Sequence, residues 1–171
     1  MVIAAPANSN AKFARGSLLD ADALIDPELL VPQLSADTKI GAIKELVDRM
    51  HLKGIVGDSL SFLQSVLERE NLQSTILGGD IALPHARSRS VNELGLALGI
   101  ARPPIDFPSG DDRRPIHLIC LIAVPAHAPD LYLALLAALA RTFADVELRR
   151  SLLNCASKEE IYRLLSSRQI G

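Results

Sequence analysis

Apolar positions recur with a helical period in the second quarter of the chain. Behind Thr38, a residue type that caps helices, they return every three or four positions until Gly54 supplies a stop. This pattern predicts an amphipathic helix between Thr38 and Gly54. A second stripe follows the potential cap Asp58 and predicts another helix that ends near Asn71. The apolar positions of the two stripes are Ile40, Ile43, Val47, Met50, Leu60, Leu63 and Leu67.

The middle of the chain changes to short apolar runs, which are typical of strands. The strand runs cover residues 81–84, 94–100 and 116–124, and turn-forming sequences cover 102–104 and 108–110. The third run is almost continuously apolar apart from His117 and Cys120, so it is predicted to be a central strand covered on both faces. Two prolines in residues 26–34 predict a short edge strand there.

Helical patterns return in the last quarter of the chain. The segments are 130–144 behind Asp130, 146–154, and 157–167, where Ser157 and Glu160 form a capping box. Helices on both sides of the strand region predict an α/β fold, a three-layer α/β/α sandwich. The length of 171 residues fits one domain. We assign it to residues 17–171 and expect residues 1–16, which lack periodicity, to form a disordered arm.

Composition narrows the class of protein further. Hydrophobic residues make up 49% of the chain but aromatic residues only 4%, so the core is aliphatic. The net charge of −2 argues against a nucleic-acid partner. The longest apolar run, residues 131–140, is too short to cross a bilayer, and the N-terminus does not resemble a signal peptide, so no membrane insertion and a cytoplasmic location are expected. Cys120 and Cys155 lack metal-ligand spacing and are predicted to be buried, inert thiols, so no metal is expected.

His85 differs from the other three histidines because it directly follows a predicted short strand and Pro84, which would hold its imidazole at the end of that strand. Hydroxyl groups, glycines and arginines lie around it in the sequence, as an anion site requires. These residues are Arg69, Ser74, Thr75, Gly78, Gly79, Arg87 and Arg89. A neutral imidazole with one nitrogen held by a hydrogen bond can attack a phosphoryl group. The pattern is therefore consistent with a phosphate site around a nucleophilic histidine, although an ordinary loop would also contain such residues.

The other histidines have simpler interpretations. His51, near the end of a predicted helix, is expected at the surface. His117, inside an apolar strand, is expected to be a hydrogen-bonded core residue. His127 lies in a loop of the sequence PAHAPD, where we expect it to be exposed.

The motifs around His85 resemble those of the fructose/mannitol-type enzyme IIA of the bacterial phosphoenolpyruvate-dependent phosphotransferase system, including its nitrogen-regulatory (PtsN-like) branch. The resemblance runs from about Leu18 to Ser167 and is most specific in Arg69-Glu70, Ser74-Thr75 and Ile81–Arg87. Weaker matches are Pro104–Phe107, Pro115–Pro125 and Ser157–Ile161. The resemblance implies a mixed sheet between helices and no metal or organic cofactor.

The resemblance also implies specific roles. His85 matches the histidine that accepts a phosphoryl group from an HPr-type phosphohistidine carrier. Arg69 matches an arginine that faces the phosphate, and Ser74 and Thr75 match a polar pair beside it. The implied partners are this carrier, an enzyme IIB, or a kinase or transporter that the phosphorylation state regulates. Such a protein is a phosphocarrier component and not a stand-alone catalyst.

Two positions depart from the family pattern. The usual glycine turn is here Ile76-Leu77-Gly78-Gly79-Asp80, so an acid enters the loop, where it would repel phosphate unless it orients His85 or points away. Tyr132 stands near the place of a second histidine. Tyrosine can donate a hydrogen bond but carries no positive charge at neutral pH. His127 or Arg87 could support the phosphate instead.

These departures leave several functions open. We expect a phosphocarrier in nitrogen or metabolic regulation, because no membrane or IIB segment is attached in this sequence. The alternatives are a fructose- or mannitol-transport IIA component and a regulatory binding module with impaired phosphotransfer. A hydrolase that uses Asp80 and His85 as a base pair is a more remote hypothesis, since no nucleophile elbow is present.

Overall fold

The computed structural model describes residues 21–128 and 131–168, so the predicted arm at 1–16 lies outside the described residues. Six strands form one mixed sheet in the order β1-β5-β6-β3-β2, and β4 also pairs with β6. The strands are β1 (Leu30–Val31), β2 (Ile76–Gly78), β3 (Ile81–Ala82), β4 (His85–Ser88), β5 (Gly95–Ser109) and β6 (Asp112–Pro125). The helices are α1 (Ala21–Leu24), α2 (Lys39–Leu52), α3 (Ser59–Leu72), α4 (Leu131–Phe143), α5 (Val146–Leu153) and α6 (Lys158–Ser166).

Strand β6 lies at the centre of the sheet, as the apolar run predicted. It pairs antiparallel with β5 on one side and parallel with β3 and β4 on the other. Ile81 is in register with Leu118, and His85 is in register with Ile122. Pairing with the central strand therefore fixes where along the sheet β4 places His85.

Side chains alternate between the two faces of β6. Ile119 and Leu121 join the apolar cluster under α2 and α3, whereas Leu118, Cys120 and Ile122 join the cluster under α4, α5 and α6. All five side chains are fully buried. Full burial of an aliphatic side chain contributes about 1.5–3 kcal/mol, so both faces need their helices. The predicted three-layer α/β/α sandwich is confirmed.

Capping residues define where the helices begin. Thr38 accepts a hydrogen bond from the Gly41 N–H at 3.1 Å, and Asp58 accepts one from the Ser61 N–H at 3.0 Å. Ser157 accepts from the Glu160 N–H at 3.2 Å. These three predicted caps are confirmed, while the predicted cap Asp130 lies outside the described residues.

Three strand boundaries differ from the prediction. The 102–104 sequence does not end β5; a register shift between Ile100 and Ile105 absorbs the prolines and the strand continues to Ser109. The edge strand predicted at 26–34 is only Leu30–Val31, because residues 27–29 form a 3-10 turn. His85 does not follow a strand of residues 81–84. It begins a separate strand, β4, whose geometry comes from pairing with β6.

Several simpler expectations hold. Both cysteines are free and buried, and burial raises the pKa of each thiol. His117 forms the expected hydrogen bond, from its Nδ1 to the Ala101 carbonyl at 2.7 Å, but it is half-buried and is not the core residue that was expected. His51 and His127 are exposed. Within residues 21–128 and 131–168, no helix is both long and apolar enough to cross a membrane.

Candidate functional site

His85 is the first residue of β4 and is half-buried. Its Nδ1 lies 2.8 Å from the main-chain carbonyl oxygen of Leu83. A carbonyl can only accept, so Nδ1 carries the hydrogen and the lone pair of the neutral ring resides on Nε2. The backbone two residues upstream therefore selects the tautomer in which Nε2 is the nucleophile.

Burial lowers the pKa of His85 below its ordinary value. The positive charge of Arg69 lowers this pKa further, while the hydrogen bond to Leu83 and the charge of Glu70 act in the opposite direction. The net decrease keeps the imidazole neutral near pH 7, which is the form that can attack phosphorus.

Arg69 lies in the last turn of α3, where its guanidinium donates to the Gln73 carbonyl at 2.9 Å. This contact holds the side chain over the loop that leads from α3 to β2. It places a permanent positive charge close enough to His85 to affect the pKa of the ring. Such a charge would also neutralise part of the charge of a phosphoryl group.

Ser74 and Thr75 follow in the same loop but are engaged differently. The Ser74 hydroxyl oxygen accepts the Ile76 N–H at 3.2 Å, a contact that uses a lone pair and does not consume the hydroxyl hydrogen. The Thr75 hydroxyl is buried and donates to the carboxylate of Glu70. Thr75 would therefore have to leave Glu70 before its side chain could donate to a phosphate.

The acid in the glycine turn is paired with an arginine. Asp80 forms an ion pair with Arg149 of α5, with Oδ1 and Nε 3.0 Å apart. Arg149 also donates to the Phe143 carbonyl at the end of α4. The carboxylate charge is thereby compensated, and the hydrogen-bond partner of His85 Nδ1 is Leu83. This arrangement argues against an Asp80–His85 base pair and therefore against the hydrolase hypothesis.

Arg87 and Tyr132 meet on the α4 side of the sheet. The Arg87 guanidinium lies 4.9 Å from the centre of the Tyr132 ring and donates to the Ala128 carbonyl at 2.6 Å. Arg87 is two residues beyond His85 on β4, so both side chains leave the same face of the strand. His127 is exposed in the turn after β6, next to the residue that Arg87 binds. Arg87 thus places a positive charge beside Tyr132, which carries no such charge itself.

Glu70 has a buried carboxylate, and no role was predicted for it from the sequence. Glu70 is 0% exposed and receives hydrogen bonds from Thr75 and Ser109 and an ion pair from Lys39 at 3.2 Å. A signal for it exists in the sequence. Phe62, Val66 and Glu70 are spaced by four residues, so an acid occupies a position of the buried helical face.

No cluster of histidine, cysteine or acidic residues in the described part of the chain is arranged to hold a metal ion.

Comparisons with known proteins agree with this architecture. The family model of the phosphoenolpyruvate-dependent sugar phosphotransferase system, EIIA 2, matches residues 23–168. The fructose-specific EIIA component of the phosphotransferase system of Haloferax volcanii is 33% identical over 147 residues, which cover 86% of this chain and 95% of that protein.

Two solved structures share the fold. The nitrogen regulatory protein IIA-Ntr from Neisseria meningitidis superimposes with a TM-score of 0.76 at 26% identity, covering 84% of this chain and 97% of that one. The complex of mannitol enzyme IIA with phosphorylated enzyme IIB from Escherichia coli gives a TM-score of 0.70 at 24% identity, covering 84% and 98%.

The match over residues 23–168 settles the class of protein that the α/β/α fold alone leaves open. The chain belongs to the EIIA family of phosphocarrier components of the phosphotransferase system.

Proposed function

We propose that this protein accepts a phosphoryl group on Nε2 of His85 from an HPr-type phosphohistidine carrier. The observation that supports this role is the hydrogen bond from His85 Nδ1 to the Leu83 carbonyl, which leaves the lone pair on Nε2. In the transfer, a bond forms between Nε2 and phosphorus, and the phosphorus–nitrogen bond of the carrier breaks. The electron pair of that bond returns to the carrier's imidazole, so no further reactant is needed.

Arg69 and Ser74 are proposed to contact the phosphoryl oxygens. Arg69 supplies charge and Ser74 supplies a hydroxyl hydrogen from the same loop. Arg87, held by Ala128 and Tyr132, is proposed to support the phosphoryl group from the side of His85 opposite to Arg69 and Ser74. We infer that Thr75 acts chiefly through its contact with Glu70, because that contact uses its hydroxyl hydrogen.

A docking face for the carrier is proposed around these residues. Leu72 at the end of α3, Leu77 in β2 and Leu133 in α4 are exposed large apolar side chains, with exposed fractions of 82%, 41% and 53%. Each lies within a few residues of Arg69, Thr75 or Tyr132 along the chain. Apolar side chains ringed by polar groups are typical of surfaces that meet other proteins.

We propose that the phosphorylated protein acts in nitrogen or metabolic regulation, as its similarity to IIA-Ntr favours. A fructose-transport role is the second candidate, favoured by the relative from Haloferax volcanii. The impaired regulatory module receives less support, because Arg149 compensates Asp80 and Arg87 supplies charge beside Tyr132.

The test is phosphorylation of the purified protein with phosphoenolpyruvate, enzyme I and an HPr-type carrier. We expect one acid-labile phosphate per chain, and we expect His85→Ala to abolish it. His51→Ala, which changes an exposed histidine on α2, is the matched control and should label like the unchanged protein. Equal labelling of His85→Ala would refute the assignment.

The same reaction separates the two physiological roles. Phosphorylated protein is mixed with a fructose or mannitol enzyme IIB, and the phosphate is followed. Rapid transfer to IIB would favour the transport role, whereas retention on His85 together with phosphorylation-dependent binding of a regulated kinase or transporter would favour regulation.

A further inference from the structure

The buried carboxylate of Glu70 joins three separate segments of the chain. Lys39 comes from the first turn of α2, Thr75 from the loop before β2, and Ser109 from the end of β5. The Ser109 oxygen also accepts the Thr75 N–H at 2.9 Å. Three donors on one buried carboxylate satisfy it, and none of them can be lost without leaving a polar group unpaired.

The main chain of Glu70 also contacts the turn between β5 and β6. Its carbonyl accepts the Gly110 N–H at 2.8 Å, at the turn between β5 and β6. A Cβ at Gly110 would lie 2.6 Å from the Ser74 nitrogen, and Gly110 has a φ of +56°. The hairpin tip is therefore packed directly against the loop that carries Ser74 and Thr75, and only glycine fits there.

Three hydrogen bonds, linked through the residues Thr75 and Leu83, lead from this carboxylate to the imidazole. The Thr75 hydroxyl donates to Glu70, and the Thr75 carbonyl accepts the Leu83 N–H at 2.9 Å. The Leu83 carbonyl then accepts the hydrogen on His85 Nδ1 at 2.8 Å. Leu83, whose carbonyl selects the histidine tautomer, is thus itself held in place by Thr75 through its N–H.

We propose that Glu70 is a positioning residue of the phosphotransfer site, which acts on His85 through Thr75 and Leu83 and holds the Ser74 loop in place. This inference rests on the proposed function of His85. It gives the position of the loop relative to the nucleophile a physical origin, since Glu70 lies one residue after Arg69 in the last turn of α3.

A carboxylate is required for this task, and an amide of the same shape is not equivalent. Both oxygens of Glu70 accept, one from Thr75 and the other from Ser109 and Lys39. Glutamine carries no charge to pair with Lys39. It would present an NH₂ group in place of one oxygen, either toward the Lys39 ammonium, which can only donate, or toward Thr75, whose hydroxyl would have to turn and accept. The change Glu70→Gln therefore removes the ion pair with Lys39 and forces at least one hydrogen bond of the cluster to break or reverse, with minimal change of volume.

The experiment compares Glu70→Gln with Glu68→Gln, a matched change at an exposed carboxylate on the same helix. Two quantities are measured: the single-turnover rate of phosphoryl transfer from the HPr-type carrier, and the ¹⁵N chemical shifts of the two His85 ring nitrogens without phosphate. For Glu70→Gln we expect the rate to fall by about tenfold or more, since misplacement by an ångström costs up to about 10²-fold. We also expect the shifts to move toward a mixture of tautomers. Glu68→Gln should change neither.

The ring shifts separate positioning from general stability, because a loss of stability alone would not alter the tautomer of the folded protein. If Glu70→Gln does not fold, Thr75→Val removes the hydroxyl that joins Thr75 to Glu70, while it leaves Lys39 and Ser109 on Glu70 and keeps the main-chain contact with Leu83, and the same change of the His85 shifts is expected. A folded variant with the tautomer and transfer rate of the unchanged protein would overturn the inference. Absence of label on the unchanged protein would overturn the proposed function instead.

Discussion

At the scale of the residue, the site depends on one imidazole whose two nitrogens have different tasks. Nδ1 is bound to the Leu83 carbonyl, and Nε2 carries the lone pair. Burial and the charge of Arg69 lower the pKa of His85, so the reactive neutral form persists at pH values where an ordinary histidine is already half protonated. The arginine thus has two proposed effects, because it prepares the nucleophile before the phosphate arrives and compensates charge afterwards.

We predict that His85 titrates below about 6.5, the usual value for histidine. Phosphoryl acceptance should remain constant as the pH falls to that value and decline only when the folded-state pKa is passed. Since the unfolded chain binds this proton at a higher pH than the folded one, stability should also decrease below about pH 6.5. NMR titration of the His85 ring protons measures the pKa directly.

Arg69→Gln provides the second part of this test. Removal of the positive charge should raise the pKa of His85, because that charge is one of the causes of the decrease. Arg89→Gln, a change at an exposed arginine just beyond β4, should leave the pKa unaltered. A His85 titration at its ordinary value in the unchanged protein would contradict the electrostatic account of the site.

At the scale of the element, the turn between β2 and β3 is held by α5. Gly78 and Gly79 have positive φ angles of +108° and +63°, which allow the tight reversal. A Cβ at Gly79 would lie 3.0 Å from the Arg149 guanidinium. Arg149 therefore packs on the turn while it pairs with Asp80 and caps the end of α4 through Phe143.

We predict that Arg149→Ala lowers the free energy of unfolding by about 1–3 kcal/mol, because it leaves a partly buried carboxylate and a helix-end carbonyl without their donor. The neighbouring Arg150→Ala removes only an exposed pair with Glu147 and should change it by less than about 0.5 kcal/mol. Urea unfolding measures both. Phosphotransfer should be slower in Arg149→Ala, since the turn precedes His85. Equal stability of the two variants would show that the turn does not depend on α5.

The elements that could be predicted from the sequence are those whose pattern is local. Helices α2, α3 and α6 carry their own stripes and caps, and β6 is long enough to show burial on both faces. Strand β4 could not be predicted, because its sequence HARS contains one apolar residue and its geometry comes from β6.

The same distinction applies to the candidate site. His85, Arg69 and the Ser74-Thr75 pair lie within one short stretch that carries a recognisable motif. Arg149 is 69 residues from Asp80, and Ser109 is 39 residues from Glu70. Contacts over such separations depend on the sheet order, so neither the compensation of Asp80 nor the Glu70 cluster could be predicted from spacing.

At the scale of the whole molecule, Arg102 connects the register shift of β5 to two distant parts of the fold. Its guanidinium donates to the Pro32 carbonyl at 2.6 Å, beyond β1, and to the Cys155 carbonyl at 3.1 Å and the Leu153 carbonyl, at the end of α5. The side chain thereby joins the edge of the sheet to the helical layer on the α5 side. These contacts anchor the residue directly before Pro103 and Pro104, where the pairing of β5 with β6 shifts register.

We predict that Arg102→Met lowers the free energy of unfolding by about 2–3 kcal/mol. Methionine replaces much of the volume but offers no donor, so carbonyls from two layers lose a charged hydrogen-bond partner, and such bonds contribute about 1.5–3 kcal/mol each before the groups find water. Arg113→Met on the β5–β6 hairpin is the control, because its partner Asp106 is exposed and surface pairs contribute at most about 1 kcal/mol. The denaturation midpoints in urea measure both changes. Since Arg102 lies away from the His85 loop, phosphoryl acceptance by the folded Arg102→Met protein should stay near that of the unchanged protein. An equal loss of stability in Arg102→Met and Arg113→Met would mean that the register shift is held by the strand pairing alone.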